Sequence, residues 1–419
     1  MRKMCPVRLS DVFTPGGLPS VTYVSRDHLE LETKIEDALA RGFSFIVVTG
    51  PTKSGKTVLC KRVLKNQKVV TVEGGRIRSE ADFWLHIAAS VNLPVEKTLT
   101  STEALTTAFN GEGSGGIPGI FSAKAGTTRS DSEQTATANK FAVVPVIAAI
   151  ERLVADRIPL LVDDFHYIDP EVQKAIIQSL KSAVFEGLPV LLLAVPHRAF
   201  DPLTVEREVE GRFKHIPIPA WSLEDLVQIP AKGFPELNAR VERKVQTRIC
   251  EDSFGNPLLV QDICSEFCLK NKVREKAAKP RKLNPKLLET TYIEMADSKG
   301  FPSLEILTRT PNARARALRK MRGGGEEDIN KALLTSIARL GPKNTSNLSD
   351  IRLSYEAILD PSLPKPRKAE VVKALEQISS AAKANGQGQP SLEWIPEKEQ
   401  LVITDPFLQF YLKWHLRKR

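Results

Sequence analysis

Cysteine is scarce in this chain, with five in 419 residues. Cys5, Cys60 and Cys250 stand alone, and Cys264 and Cys268 are spaced i,i+4. No C-x-x-C pair and no Cys/His ligand spacing accompanies them, which argues against a structural metal site or a disulfide framework. The expectation is buried thiols. Long apolar runs are missing too: none approaches the roughly 18 residues of a membrane span. The opening MRKMCPVRLSDVF lacks the apolar stretch of a signal peptide. A cytoplasmic protein with no membrane partner is expected. No repeat of fixed period is visible. Acid is short relative to base, leaving a net charge of +10. The excess gathers in the C-terminal half. Residues 270–286 hold eight basic residues and one acid, and 309–322 hold six basic residues and no acid. Such stretches are either solvated linkers or a surface for nucleic acid, and composition alone leaves both open.

Along the chain, residues 1–30 read as a leader. Residues 27–41 read as a helix, with Leu29, Leu31, Ile35, Ala38 and Leu39 at its apolar positions. Phe43–Thr49 is a continuous apolar strand, and Lys56–Lys65 is the helix that follows a loop. A second strand is expected near 67–74. IPLLVDDF (158–165) and LPVLLLAV (188–195) are apolar without alternation, and KHIPIPA (214–220) is a short last strand. Strands with no polar face are covered on both sides, the mark of a parallel sheet wrapped by helices. The expected division is 1–221 for this α/β core, with a Gly/Ser/Thr-rich flexible insertion at 110–140. A helical lid at 222–270, a basic linker at 271–327 ending in GGG, and a unit at 328–419 follow.

The stretch TGPTKSGKTV carries the chemistry. Gly50, Gly55, Lys56 and Thr57 fit G-x-x-x-x-G-K-[ST]. Glycines let the loop Gly50, Pro51, Thr52, Lys53, Ser54, Gly55 curl so that its N–H groups, with Lys56, Thr57 and Val58, face phosphates. Lys56 reaches the β- and γ-phosphates, the Thr57 hydroxyl ligates Mg²⁺, and the helix that starts here aims its positive end at the anion. Chance gives this string in roughly 1–2% of chains of this length. The strand LLVDDF supplies the second half: Asp163 to hold Mg²⁺ and Asp164 to orient or deprotonate the attacking water. Asp164 as a helix cap is the plainer alternative.

This combination resembles the P-loop NTPases of the AAA+ and STAND groups, most of all the archaeal-type, Orc/Cdc6-like ATPases, over roughly residues 20–270. The resemblance implies an ASCE-type parallel sheet of order 5-1-4-3-2 with a helical lid. It also implies ATP over GTP, and no guanine-reading N-K-x-D string is present. YVSRDHLELETKIEDAL is similar to the family's opening box and puts Arg26 beside the nucleotide. LLLAVPHRAF falls at the sensor-1 position, with His197 or Arg198 facing the γ-phosphate. GRFKHIPIPAWSLEDL resembles the segment bearing an arginine finger, which makes Arg212 the residue acting in trans on a neighbouring subunit. For Arg198 and Arg212 the plain alternative is a surface arginine. DSFGNPLLVQDIC is similar to the lid signature, with Gly255 and Pro257 opening a helix near the base. The arginine usual in this region is missing, which favours a switch-like ATPase.

In the last unit, Ile329, Leu333, Leu334, Ile337 and Leu340 share one helical face, as do Val371, Val372, Leu375 and Ile378. A helix between them and the alternating SLEWIPEKEQLVITD complete three helices and a hairpin, the pattern of a winged helix-turn-helix. Its third helix would offer Arg367, Lys368, Lys373 and Lys383 to DNA, while the wing PEKEQ carries two glutamates. The functional expectation is an ATP-binding, ATP-hydrolysing switch whose nucleotide state controls homo-oligomerisation or engagement of a partner or DNA, in a defence or mobile-element setting. The effector is expected on a separate chain. Two rivals stay open: a loader or helper ATPase acting on DNA, and a sensor that binds nucleotide without hydrolysing it.

Overall fold

A computed structural model describes residues 6–93, 146–195, 212–299, 307, 318–362, 364–385 and 390–416. The insertion expected at 110–140 lies outside the described residues. The chain divides into two compact units: Leu31–Thr49 with Leu59–Pro217, and Met1–Glu30 with Gly50–Val58 and Ile218–Arg419.

The first unit is built on five parallel strands: β1 (Phe45–Thr49), β2 (Val70–Glu73), β3 (Leu160–Asp163), β4 (Val190–Ala194) and β5 (Phe213–Pro217). Their order is β2-β3-β4-β1-β5, as the resemblance implied. Burial follows position in the sheet. Every residue of the inner strands β1 and β4 is buried, whereas the edge strand β2 alternates and β5 buries only Ile216. An unbroken apolar run therefore marks a strand with neighbours on both sides and helices on both faces. Helices Glu80–Ser90 and Pro170–Phe185 cover the sheet. Each begins at a cap: Ser79 accepts from Asp82 N–H, and Asp169 from Glu171 N–H. Such caps stabilise by about 1 kcal/mol apiece.

The second unit contains two hydrophobic clusters. One joins helices Leu223–Glu236, Arg243–Glu251, Pro257–Lys270 and Leu287–Lys299. The leader, grouped with the sheet on sequence grounds, packs here through Leu9, Val12, Phe13 and Val24. Phe13 lies against Gly233, where an added Cβ would stand 2.4 Å from its ring. The stretch expected as a basic linker, 271–327, contains helix Leu287–Lys299, and Leu288, Tyr292, Met295 and Ala296 are buried in the same cluster. Their spacing is i, i+4, i+7, i+8, one face of a helix. The same stretch runs into a hairpin, Leu318–Lys320 with Glu326–Asp328, whose turn contains the three glycines read as a boundary.

The other cluster joins helices Ile329–Leu340, Leu348–Ile358 and Lys368–Asn385 with an antiparallel sheet. In that sheet Gln400–Ile403 is central, between Thr345–Asn347 and Leu392–Ile395. Leu392, Trp394, Leu401 and Ile403 face inward. Of the basic residues expected on the third helix, Lys368 pairs with Glu399, and Lys383 with Glu393 at 2.7 Å. The C-terminal helix, from Pro406 to Leu416, belongs to both clusters. Phe410 and Trp414 enter the first, and Leu408, Tyr411, Leu412 and Leu416 the second. Lys413 anchors it to buried Asp252 at 2.5 Å.

Candidate nucleotide-binding site

The loop Gly50–Gly55 continues the chain from the carboxyl end of β1. Two backbone features shape it. A side chain at Gly50 would meet the Ile218 carbonyl and Ser54 Oγ, each at 3.0 Å, so close approach requires glycine there. Lys53 and Gly55 take left-handed backbone, φ 60° and 91°, and this bends the chain into the helix Lys56–Val63. Lys56 is 7% exposed, and its Nζ donates to the Gly50 and Pro51 carbonyls, both at 3.0 Å. A buried ammonium held by loop carbonyls is suited to exchange them for phosphate oxygens. Ser54 Oγ is buried without a hydrogen-bond partner among the described residues. The site therefore fits a polyphosphate. Thr57 is half-buried in the first turn of the helix, where its hydroxyl would hold Mg²⁺.

On the sheet, Val162 is level with Leu192 of β4, and Leu192 with Val47 of β1. Asp163 thus ends β3 at the carboxyl edge, two strand spacings from β1, or about 10 Å. Asp163 and Asp164 are half-buried, and Asp164 N–H donates to Asp163 Oδ1 at 3.0 Å. Asp164 has φ 52° and precedes the short helix Phe165–Tyr167 without capping it through its side chain. Left-handed backbone at an aspartate is tolerated but uncommon, and such conformations gather at functional sites.

Gly74, a residue sequence reasoning passed over, makes this turn possible. A Cβ on it would lie 2.4 Å from the Asp164 carbonyl oxygen and 3.1 Å from that of Asp163. We expect Gly74→Ala to push the acidic turn aside, lowering turnover at least about tenfold and stability by about 1–3 kcal/mol. Gly75→Ala, whose Cβ would meet nothing nearer than Tyr167 at 3.9 Å, should change neither. Phosphate release and urea denaturation of the two variants check this, and equal behaviour would contradict it.

Arg212 immediately precedes β5, and its carbonyl accepts from Phe45 N–H at 2.9 Å. It stands at the amino edge of the sheet, the length of a five-residue strand, or about 16 Å, from the edge that carries Asp163. Its guanidinium is 3.6 Å from the Phe185 ring centroid. His197 and Arg198 lie outside the described residues. Pro257 opens the helix Pro257–Lys270, capped by Asn256, which accepts from Leu259 N–H at 3.0 Å. Arg26 is 5% exposed, has φ 53°, donates to the Pro219 carbonyl at 3.1 Å and stacks on Trp221. Burial pulls its guanidinium below the ordinary arginine value, with Asp225 and Tyr23 opposing.

The four described thiols follow the sequence expectation, and Cys5 lies outside the described residues. Cys60, Cys250, Cys264 and Cys268 are buried, and burial pushes Cys250 and Cys268 up to about 12. Among the described residues, no cluster of His, Cys, Asp and Glu is arranged to hold a metal ion. None of the described helices is long and apolar enough to cross a membrane.

No protein-family model matches the chain, and no curated protein matches it. Solved structures do. A Walker-type ATPase of Pyrococcus abyssi matches at 13% identity and a TM-score of 0.51, covering 98% of this chain and 99% of its own. The ORC2 protein of Aeropyrum pernix, in ADPNP–ADP complexes, matches at 14% identity and a TM-score of 0.51, covering 96% of each chain. At such identity the likeness is one of fold. With its strand order and its glycine-rich loop, the chain has the P-loop fold seen in these two structures.

Proposed function

We propose that the protein binds ATP with Mg²⁺ and hydrolyses it as a conformational switch. The carrying observation is the phosphate loop, with Lys56 drawn onto its own carbonyls at the end of a strand in a parallel P-loop sheet. In this reading Gly50–Val58 cradle the phosphates. Lys56 neutralises them, Thr57 and Asp163 hold Mg²⁺, and Asp164 orients or deprotonates the attacking water. Bound Mg²⁺ would supply charge neutralisation at the β- and γ-oxygens. The ADPNP and ADP of the Aeropyrum protein's structure support a nucleotide here.

Helices and sheet at 328–416 support a winged-helix reading of the last unit. Lys368 and Lys383 are paired with Glu399 and Glu393 of the hairpin, which reduces the charge this face offers DNA to that of Arg367 and Lys373 and favours a protein-facing role. Phosphate release with and without DNA tests this: DNA-stimulated turnover would point to a loader instead, and tight binding with undetectable turnover under all partner conditions would sink hydrolysis. Light scattering with and without a non-hydrolysable ATP analogue tests assembly.

Arg212 serves only a neighbour in this scheme, since it stands at the sheet edge opposite the acids. Arg212→Ala is expected to lower turnover about 10³-fold or more in the assembled state and to leave unassembled protein unchanged. Phosphate release measured across protein concentration checks it. An equal loss at every concentration would contradict a role in trans.

A further inference from the structure

The phosphate loop is held from outside as well as from within. Trp221 Nε1 donates to the Ser54 carbonyl at 2.8 Å. The backbone of Ile218 lies against Gly50, so the segment 218–221 touches the loop at both ends. Arg26 fastens that segment in turn. Its guanidinium lies 4.4 Å from the Trp221 ring centroid, and its Nη1 holds the Pro219 carbonyl. Buried Asp225 balances the charge and is itself 3.8 Å from His28. The Trp221 carbonyl lies 4.0 Å from the point where a Cβ on Gly255 would stand, in the turn before the helix Pro257–Lys270.

The geometry points to Arg26 and Trp221 as positioning residues that brace the phosphate loop, with Arg26 acting through Trp221 rather than on the nucleotide. The inference rests on the reading of that loop as a nucleotide site. An indole N–H on a loop carbonyl orients the peptide unit joining Ser54 to Gly55, and with it the Gly55 N–H that a phosphate would meet. A guanidinium stacked on the indole face restricts the ring's rotation, which a flexible ammonium does not. Because the loop amides would grip phosphate before and during reaction, loosening them weakens binding while turnover at saturation is retained.

The test uses Trp221→Phe, which keeps an aromatic face for Arg26 and removes the N–H together with the pyrrole ring, and Arg26→Lys, which keeps the charge and loses the plane. Hydrogen–deuterium exchange is read first in nucleotide-free full-length protein. Both variants should exchange the amides of residues 53–57 faster by roughly 3- to 10-fold, with helix 257–270 unchanged. Calorimetric titration with Mg-ATP should then give a dissociation constant roughly 3- to 10-fold weaker, KM raised in step and kcat held. Unchanged exchange of the loop in Trp221→Phe overturns the bracing. Weaker ATP binding by Arg26→Lys with unchanged loop exchange overturns it in favour of direct contact with nucleotide. Should wild-type protein bind no ATP, the proposed function fails, and the exchange experiment still decides the brace.

Discussion

Lys56→Ala is expected to weaken Mg-ATP binding by at least about 100-fold. A charge-assisted hydrogen bond contributes about 1.5–3 kcal/mol, and an ammonium that meets two phosphate oxygens makes two. Their sum, about 3–6 kcal/mol, exceeds the 2.7 kcal/mol or so that corresponds to 100-fold. The substitution also removes the donor now held by the Gly50 and Pro51 carbonyls. Part of any loss in the variant would then come from a loop left without its internal tie. Urea denaturation of nucleotide-free protein separates the two, since only the second effect appears there. Binding within threefold of wild type would remove Lys56 from the site.

Asp164→Asn is expected to do the opposite: ATP binding within about threefold of wild type and turnover lowered by at least about 100-fold, the range of a lost general base. Asparagine is the substitution of choice because residue 164 has φ 52°, and asparagine shares with aspartate a tolerance for left-handed backbone. The turn is therefore kept while the carboxylate is lost. Calorimetric titration with Mg-ATP and steady-state phosphate release measure the two quantities. Parallel loss of both would mean that Asp164 shapes the site instead of acting on water.

The parts of the fold written in short-range pattern were readable from sequence. β1, β3 and β4 announced themselves as unbroken apolar runs because central parallel strands have no solvent face, and strand order followed from the resemblance. The glycine-rich loop was readable as a tight strand-to-helix turn because close approach at Gly50 and left-handed backbone at Gly55 constrain residue type at fixed spacing. What escaped depended on partners distant in sequence. Gly74 looks like any turn glycine until Asp164 is placed against it. Trp221 carried no signal, because its role lies in one hydrogen bond to Ser54, 167 residues away. The helix Leu287–Lys299 was hidden by its setting. The basic residues just before it dominated the composition, although Leu288, Tyr292, Met295 and Ala296 already had helical spacing. The lysines on the helix Lys368–Asn385 suggested a DNA surface because sequence does not show that Glu399 and Glu393 stand beside two of them.

The helix from Pro406 to Leu416 is a party wall between the two hydrophobic clusters of its unit. Trp414 fills a place in one while Leu412 fills a place in the other. Unfolding of either cluster is therefore expected to expose part of the other, although most of their residues never meet. The phosphate loop reaches the same wall, with Lys53 Nζ 4.0 Å from the Phe407 ring centroid. A cation–π contact of this kind contributes about 0.5–1 kcal/mol. That is a weak tie, but it is placed on an element that contributes buried side chains to both clusters.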